Sequence, residues 1–329
     1  MAAPVFLALI LGGIVVLLFG GDLLVRGGAA VARVWKLPPL LVGLTIIAFG
    51  TSAPELVVSI QSALSGHPGL ALGNIVGSNT ANFLLILGLP AIFGAIATTT
   101  PGVRRNAIFA LMAALILVGV SWDRTISAVE SWALFALIVG YVTLLGFLAR
   151  NAKDDPTLAE LTDLEHMEGL PGGLGKSIAA VIVGLVALPV GAQMIVVGGT
   201  EAARAFDIDE AIIGLTAIAF GTSLPELATV VMASVRRQAE LAIGNVLGSN
   251  IFNVFAVGGA TGIAASAIGA DLPIPEGFFS LDLWVMLGAS IAIAAITLAR
   301  QPINRLLGLV LFGSYISYIA VIARSVTAA

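Results

Sequence analysis

A chain of 329 residues that is 59% hydrophobic and only 10% charged has too few charges to dissolve as a compact soluble protein, for which roughly 45–50% apolar and about 25% charged is usual. Its net charge of −4 argues against nucleic acid, which calls for a basic stripe. With no cysteine and two histidines, His67 and His166, it excludes disulfide staples, thiolate metal sites and histidine-rich clusters.

The composition therefore predicts an all-α polytopic membrane protein, with no room for a soluble catalytic domain. Apolar runs separated by charges or Pro/Gly punctuation predict ten transmembrane segments, at about 4–33, 38–65, 70–96, 104–121, 126–149, 174–204, 209–235, 240–266, 279–299 and 304–323. The first, beginning MAAPVFLALILGG, has no basic leader and reads as a retained helix rather than a cleaved signal peptide. Trp122, Trp132 and Tyr141 lie near segment ends and read as interface anchors. Residues 151–173 form the one long polar connection, with six acids against Lys153. This is a solvated linker between two halves, 1–150 and 174–329. His67 reads as lying in a short outer loop and His166 in this linker.

Lysine and arginine placement sets the orientation. Counting alternate connections, twelve of the fifteen fall on one side and only Arg124, Arg204 and Arg324 on the other. That places 151–173 in the cytoplasm and both termini outside, as an even number of spans requires.

An internal repeat decides the architecture. Residues 43–56, GLTIIAFGTSAPEL, and 214–227, GLTAIAFGTSLPEL, agree at twelve of fourteen positions with an offset of 171. The same offset aligns 71–83, ALGNIVGSNTANF, with 242–254, AIGNVLGSNIFNV, at seven of thirteen positions, and Gly27–Gly28 with Gly198–Gly199. The first copy spans about 38–96 and the second about 209–266. Five spans separate them, so the second half enters from the opposite side. Ten helices as two inverted five-helix repeats build one central site that can face either way.

Ionisable groups at membrane depth are costly and mark function. Glu55 and Glu226 are repeat equivalents, and the pseudo-twofold brings them face to face with no Lys or Arg nearby in sequence. Two such carboxylates need a cation between them or a proton on one. Pro54 and Pro225 each lack an N–H, which frees the carbonyls of Gly50 and Gly221 and predicts broken helices lining a cavity. Thr51 and Glu55 share a helical face, with Ser52 adjacent; Thr222, Ser223 and Glu226 repeat the pattern. Ser78 with Asn82, and Ser249 with Asn253, are also spaced i,i+4 and favour ligation. Asn74, Asn79, Asn245 and Asn250 suit interhelical hydrogen bonding as well as ligation. All of these are hard oxygen ligands, which suit Ca2+ or Na+ rather than zinc or copper. Asp22 corresponds to Gln193 in the other half and is expected to pair with Arg26 four residues on.

The paired GTSxPE and GNxxGSN motifs in inverted repeats resemble the α-repeats of the sodium/calcium exchanger family, prokaryotic type, over essentially the whole chain. The resemblance implies exchange of Na+ for Ca2+ by alternating access in the cell (inner) membrane. It implies no cofactor and no enzymatic activity, and the sequence shows no obligate protein partner. It makes Glu55 and Glu226 the central ligands of both ions. Thr51 and Thr222 would add their carbonyls, and Ser52, Ser223, Ser78 and Ser249 their hydroxyls. The carbonyls of Ala48 and Ala219 would complete flanking Na+ sites, while Asn82 and Asn253 line the middle. One departure is Asn253, where prokaryotic members commonly carry aspartate. Two carboxylates are balanced by a single Ca2+ and exceeded by the larger Na+ load of the family's usual stoichiometry, which makes exchange electrogenic. Proton- or potassium-linked exchange within the superfamily is the alternative reading, and a passive cation channel a more distant one.

Overall fold

The computed structural model describes residues 3–152, 173–205 and 210–328, with side chains over 5–148, 173–202, 204 and 221–324. Most of the 151–173 linker, with His166, therefore lies outside the described residues. Helices occupy the apolar runs in order: α1 (Ala3–Trp35), α2 (Pro39–Thr51), α3 (Ala53–Leu64), α4 (Pro68–Phe93), α5 (Val103–Val120) and α6 (Ala128–Ala152). Then follow α7 (Gly173–Ala205), α8 (Glu210–Val235), α9 (Ala239–Ala267), α10 (Phe278–Leu298) and α11 (Arg305–Ala328). Prolines begin α2 and α4, where a missing N–H breaks no helical bond. Among the described residues eight helices are long and apolar enough to cross a membrane, and the α2–α3 pair, bent by 40°, makes a ninth if it is one span. The chain is thus a nearly all-helical, multi-pass membrane protein.

Burial sorts these helices. The most apolar stretch of α9 is wholly buried and that of α4 is 83% buried, whereas only 22% of that of α11 is. The helices that carry the GNxxGSN motif are therefore wrapped by the rest. α9 packs against α2, α3 and α8, and α4 packs against α3 and α8, so each motif helix touches the glutamate-bearing helix of the other half.

Around this centre run α1 and α7, each 33 residues and so about 50 Å long. Glycines let their backbones meet. A Cβ on Gly13 would stand 2.7 Å from the carbonyl of Gly191, and one on Gly184 would stand 2.8 Å from that of Gly20. Small residues at such a seam substitute van der Waals contact for the hydrophobic drive that lipid removes.

Two short backbone pairings tie the halves together. The connection after α5 pairs with the one after α9 as a two-stranded antiparallel ribbon, β1 (Thr125–Ile126) with β2 (Leu272–Pro273). The connection after α4 meets the one after α10 at Ile96 and Ile303.

Two expectations are corrected here. Tyr141 is not an interface anchor: it is buried, and its hydroxyl donates to Asn106 Oδ1 at 3.1 Å, a bond that makes a buried phenol tolerable. Trp122 and Trp132 are exposed, as anchors are. The two proline motifs also behave differently. The first copy breaks at Ser52 (φ −83°, ψ 2°), while α8 runs through Pro225 as one helix. A proline removes a single rung, which bends a helix without having to end it.

Candidate cation site

The site is assembled by the break between α2 and α3, the middle of α8, and the two buried helices α4 and α9. Glu55 lies in the first turn of α3, and Glu226 follows Pro225 in α8. Their exposures are 1% and 0%, and their carboxylates are close enough for the charges to act on one another. Among the described residues no Lys or Arg pairs with either acid, and no three His, Cys, Asp or Glu side chains form a metal cluster. Two carboxylates and neutral oxygens are what the site has to work with.

Each carboxylate is served mainly from the opposite half. Ser52 Oγ donates to Glu226 Oε1 at 3.5 Å. Thr51, Ser249 and, on the other side, Thr222 are tied to the same centre by the bonds that follow. The threonines are held in turn by asparagines. Thr51 Oγ1 donates to Asn245 Oδ1 at 3.1 Å, and Thr222 Oγ1 donates to Asn74 Oδ1 at 3.0 Å. These two bonds exchange under the offset of 171, each crossing from one half to the other. Thr51 Oγ1 also lies 3.4 Å from Ser249 Oγ and from the carbonyl of Ala48.

Thr51, Ser52, Glu55, Thr222, Glu226, Ser249 and Ala48 are therefore brought together. The carbonyl of Ala48 is engaged as well by the N–H of Ser52 at 3.0 Å. Ser78, Ser223 and Asn253 are buried, and their side chains make no hydrogen bond to other described residues. Asn82 instead donates to Asn250 Oδ1 at 2.8 Å. Ala219 lies in α8, and its side chain falls outside the described residues.

Asn82 and Asn253 share a backbone feature as well as a repeat position. Each begins a π-helical turn, Asn82–Ile86 and Asn253–Gly258, and a third such turn, Gly43–Ile47, precedes Ala48. A π turn widens the helix and re-aims its carbonyls, and such turns concentrate at functional positions. The sequence does not reveal the turns at Asn82 and Asn253, because α4 and α9 are buried nearly all round and carry no one-sided apolar stripe whose phase an inserted residue would shift. The interhelical hydrogen bonding expected of Asn74 and Asn245 is present, and the partners that local spacing did not indicate are the site threonines.

Six of the expected side-chain oxygens are buried and find no hydrogen-bond partner among the described residues: Glu55 Oε2, Glu226 Oε2, Ser78 Oγ, Ser223 Oγ, Asn82 Oδ1 and Asn253 Oδ1. Buried polar atoms are almost always paired with protein, water or ligand, so these oxygens are open to a bound cation. Hard oxygens in that number suit Ca2+ or Na+.

Helices wrapped around a buried, oxygen-lined, doubly acidic centre fit a multi-pass membrane protein that handles cations. Known proteins agree. The chain matches the family described as sodium/calcium exchanger protein over residues 5–147 and 176–324, and it belongs to that family. It is 33% identical to the putative antiporter CaxA of Alkalimonas amylolytica over 314 residues, 94% of this chain and 96% of that protein. It is 34% identical over 318 residues to the inner membrane protein YrbG of Escherichia coli (strain K12), 96% of each chain. Its fold matches a solved structure of the sodium-calcium exchanger NCX_Mj, soaked with zero Na+ and Ca2+, with a TM-score of 0.80 and 28% identity, over 98% of this chain and 100% of that one. The family and its structural neighbours are transporters, and cation/Ca2+ antiport is the activity of the class.

Proposed function

We propose that the chain is a secondary active antiporter that exchanges Na+ for Ca2+ by alternating access at the site around Glu55 and Glu226. The observation that carries this reading is the set of buried, unpartnered oxygens from both repeats, together with two buried carboxylates that no described Lys or Arg neutralises. A buried acid pair left uncompensated is strongly destabilising, and a divalent cation or a load of Na+ supplies the compensation. Glu55 and Glu226 serve both ions. Ser52, Ser78, Ser223 and Ser249 add hydroxyls, Thr51, Thr222, Ala48 and Ala219 add carbonyls, and Asn82 and Asn253 line the middle.

In this reading α8 is the span equivalent to the bent α2–α3 pair. That makes ten spans in two inverted halves, 1–150 and 174–329, each packing its motif helix against the other half's glutamate. The reciprocal Thr51–Asn245 and Thr222–Asn74 bonds support the pseudo-twofold. The basic residues put 151–173 in the cytoplasm and both termini outside, and the Escherichia coli relative's name supports the inner membrane. With two carboxylates a Ca2+-loaded centre is neutral and a centre loaded with three Na+ is positive, so exchange at the family's usual stoichiometry responds to membrane potential.

The test is 45Ca2+ uptake into proteoliposomes with a Na+, K+ or pH gradient as the only driving force. An outward Na+ gradient is expected to drive uptake, and an imposed potential to change its rate. Uptake driven by K+ or H+ alone would assign the coupling elsewhere in the superfamily, and flux that ignores every counter-ion would mean a channel.

A further inference from the structure

Asn74 and Asn245 hold equivalent threonines at nearly equal distances, but beyond that contact their surroundings differ. Asn74 Nδ2 donates to the carbonyl of Glu55 at 3.1 Å and to Ser59 Oγ at 2.9 Å, while its Oδ1 accepts from Thr222. Both ends of the amide are used. Asn245 Oδ1 accepts from Thr51, but Asn245 Nδ2 is buried without a hydrogen-bond partner among the described residues.

The sequence accounts for the difference. The offset of 171 that maps Asn74 onto Asn245 maps Ser59 onto Val230, so the second half has no hydroxyl where the first has its acceptor. Ser59 and Val230 are both wholly buried, so neither position meets bulk solvent. The neighbouring hydroxyl in the second half, Thr229 Oγ1, donates to the carbonyl of Pro225 at 2.8 Å and is not reached by Asn245 Nδ2, which makes no hydrogen bond among the described residues. An amide needs partners at both ends to be fixed in orientation when buried, and an unmade bond there is costly. Asn74 is therefore held at three points and Asn245 at one.

We propose that Asn74 and Asn245 are positioning residues for the cation site, acting through Thr222 and Thr51, and that Ser59 gives the Asn74 side a brace that the Asn245 side lacks. The pocket beside Thr222 and Glu55 is then preformed, while the pocket beside Thr51 and Glu226 adjusts as an ion enters. A ligand that must order its own binding groups binds less tightly than one that meets them in place. The two flanking Na+ positions are accordingly unequal, and the inequality resides in one serine. This deepens the Na+/Ca2+ reading and rests on it.

Two substitutions of nearly conserved shape test the brace. Ser59→Ala removes the acceptor and adds no bulk, and Val230→Thr places a hydroxyl beside Asn245 Nδ2. Na+-driven 45Ca2+ uptake by reconstituted protein is measured against Na+ concentration, alongside the rate at saturating Na+ and the melting temperature. Ser59→Ala is expected to raise the half-saturating Na+ concentration by about two- to tenfold, the size of one hydrogen bond, with a smaller change in the saturating rate. Val230→Thr moves it the opposite way, and Ser59→Thr, which keeps the acceptor, retains the wild-type value. Unchanged Na+ midpoints in Ser59→Ala and Val230→Thr, or lower melting temperatures with no midpoint shift, would overturn the inference. A wild-type protein whose uptake ignores Na+ would overturn the exchange reading, and this inference with it. A wild type that exchanges while its variants keep the same midpoint overturns this inference alone.

Discussion

Asp22 in α1 and the Glu55–Glu226 pair bring carboxyl groups of the same kind into apolar helices, and the protein meets them in opposite ways. Asp22 faces two arginines: Arg236 at the end of α8 reaches its Oδ1 through Nη2 at 2.6 Å and Nε at 2.7 Å, and Arg26 reaches its Oδ2 at 3.5 Å. Glu55 and Glu226 face hydroxyls and each other. The first arrangement is a finished ion pair that ties α1 to the α8–α9 turn. The second is unfinished, since a carboxylate oxygen on each side has no partner among the described residues. An acid that the fold neutralises holds structure, whereas an acid left for a mobile cation carries function.

Breaking that contrast starts with the glutamates. Glu55→Gln and Glu226→Gln remove the charge while keeping the shape, and each is expected to abolish Na+-driven Ca2+ uptake while the purified protein keeps its helical circular dichroism. Next come the threonines. Thr51→Val and Thr222→Val delete the hydroxyls that meet Asn245 and Asn74, and are expected to weaken Ca2+ affinity by about 10- to 100-fold, as the loss of a supporting group at a metal site does. Equilibrium 45Ca2+ binding reads this directly.

Asp22→Asn sharpens the comparison from the other side. It leaves Arg236 and Arg26 without their carboxylate in a partly buried place, and is expected to cost about 1.5–3 kcal/mol of stability, seen as a lower melting temperature, with Ca2+ binding retained. Smallest of all is His67→Ala. His67 is exposed at the start of α4, so stability should move by no more than about 0.5 kcal/mol and uptake stay unchanged.

Helix positions were legible in the sequence because a membrane demands long apolar runs, and the glutamates because charge at depth is rare and theirs is duplicated. Contacts between the halves were less legible. The i,i+4 rule pairs Asp22 with Arg26, yet the shorter contact goes to Arg236, more than 200 residues away, because α8 ends beside α1. The Asn74–Thr222 bond joins α4 to α8, a neighbour relation that local spacing does not encode. The break at Ser52 and the π turns at Asn82 and Asn253 are backbone adjustments within helices, and hydrophobic periodicity does not register them. Tyr141 was misplaced for a related reason: an aromatic residue reads as an anchor until a buried partner such as Asn106 is seen.

The most direct test is equilibrium 45Ca2+ binding to purified, detergent-solubilised protein, for the wild type and for Glu55→Gln and Glu226→Gln. The wild type should bind a single Ca2+ per chain that Na+ displaces, and neither variant should bind it measurably. Unchanged Ca2+ affinity in both variants would contradict the placement of the cation between these two carboxylates.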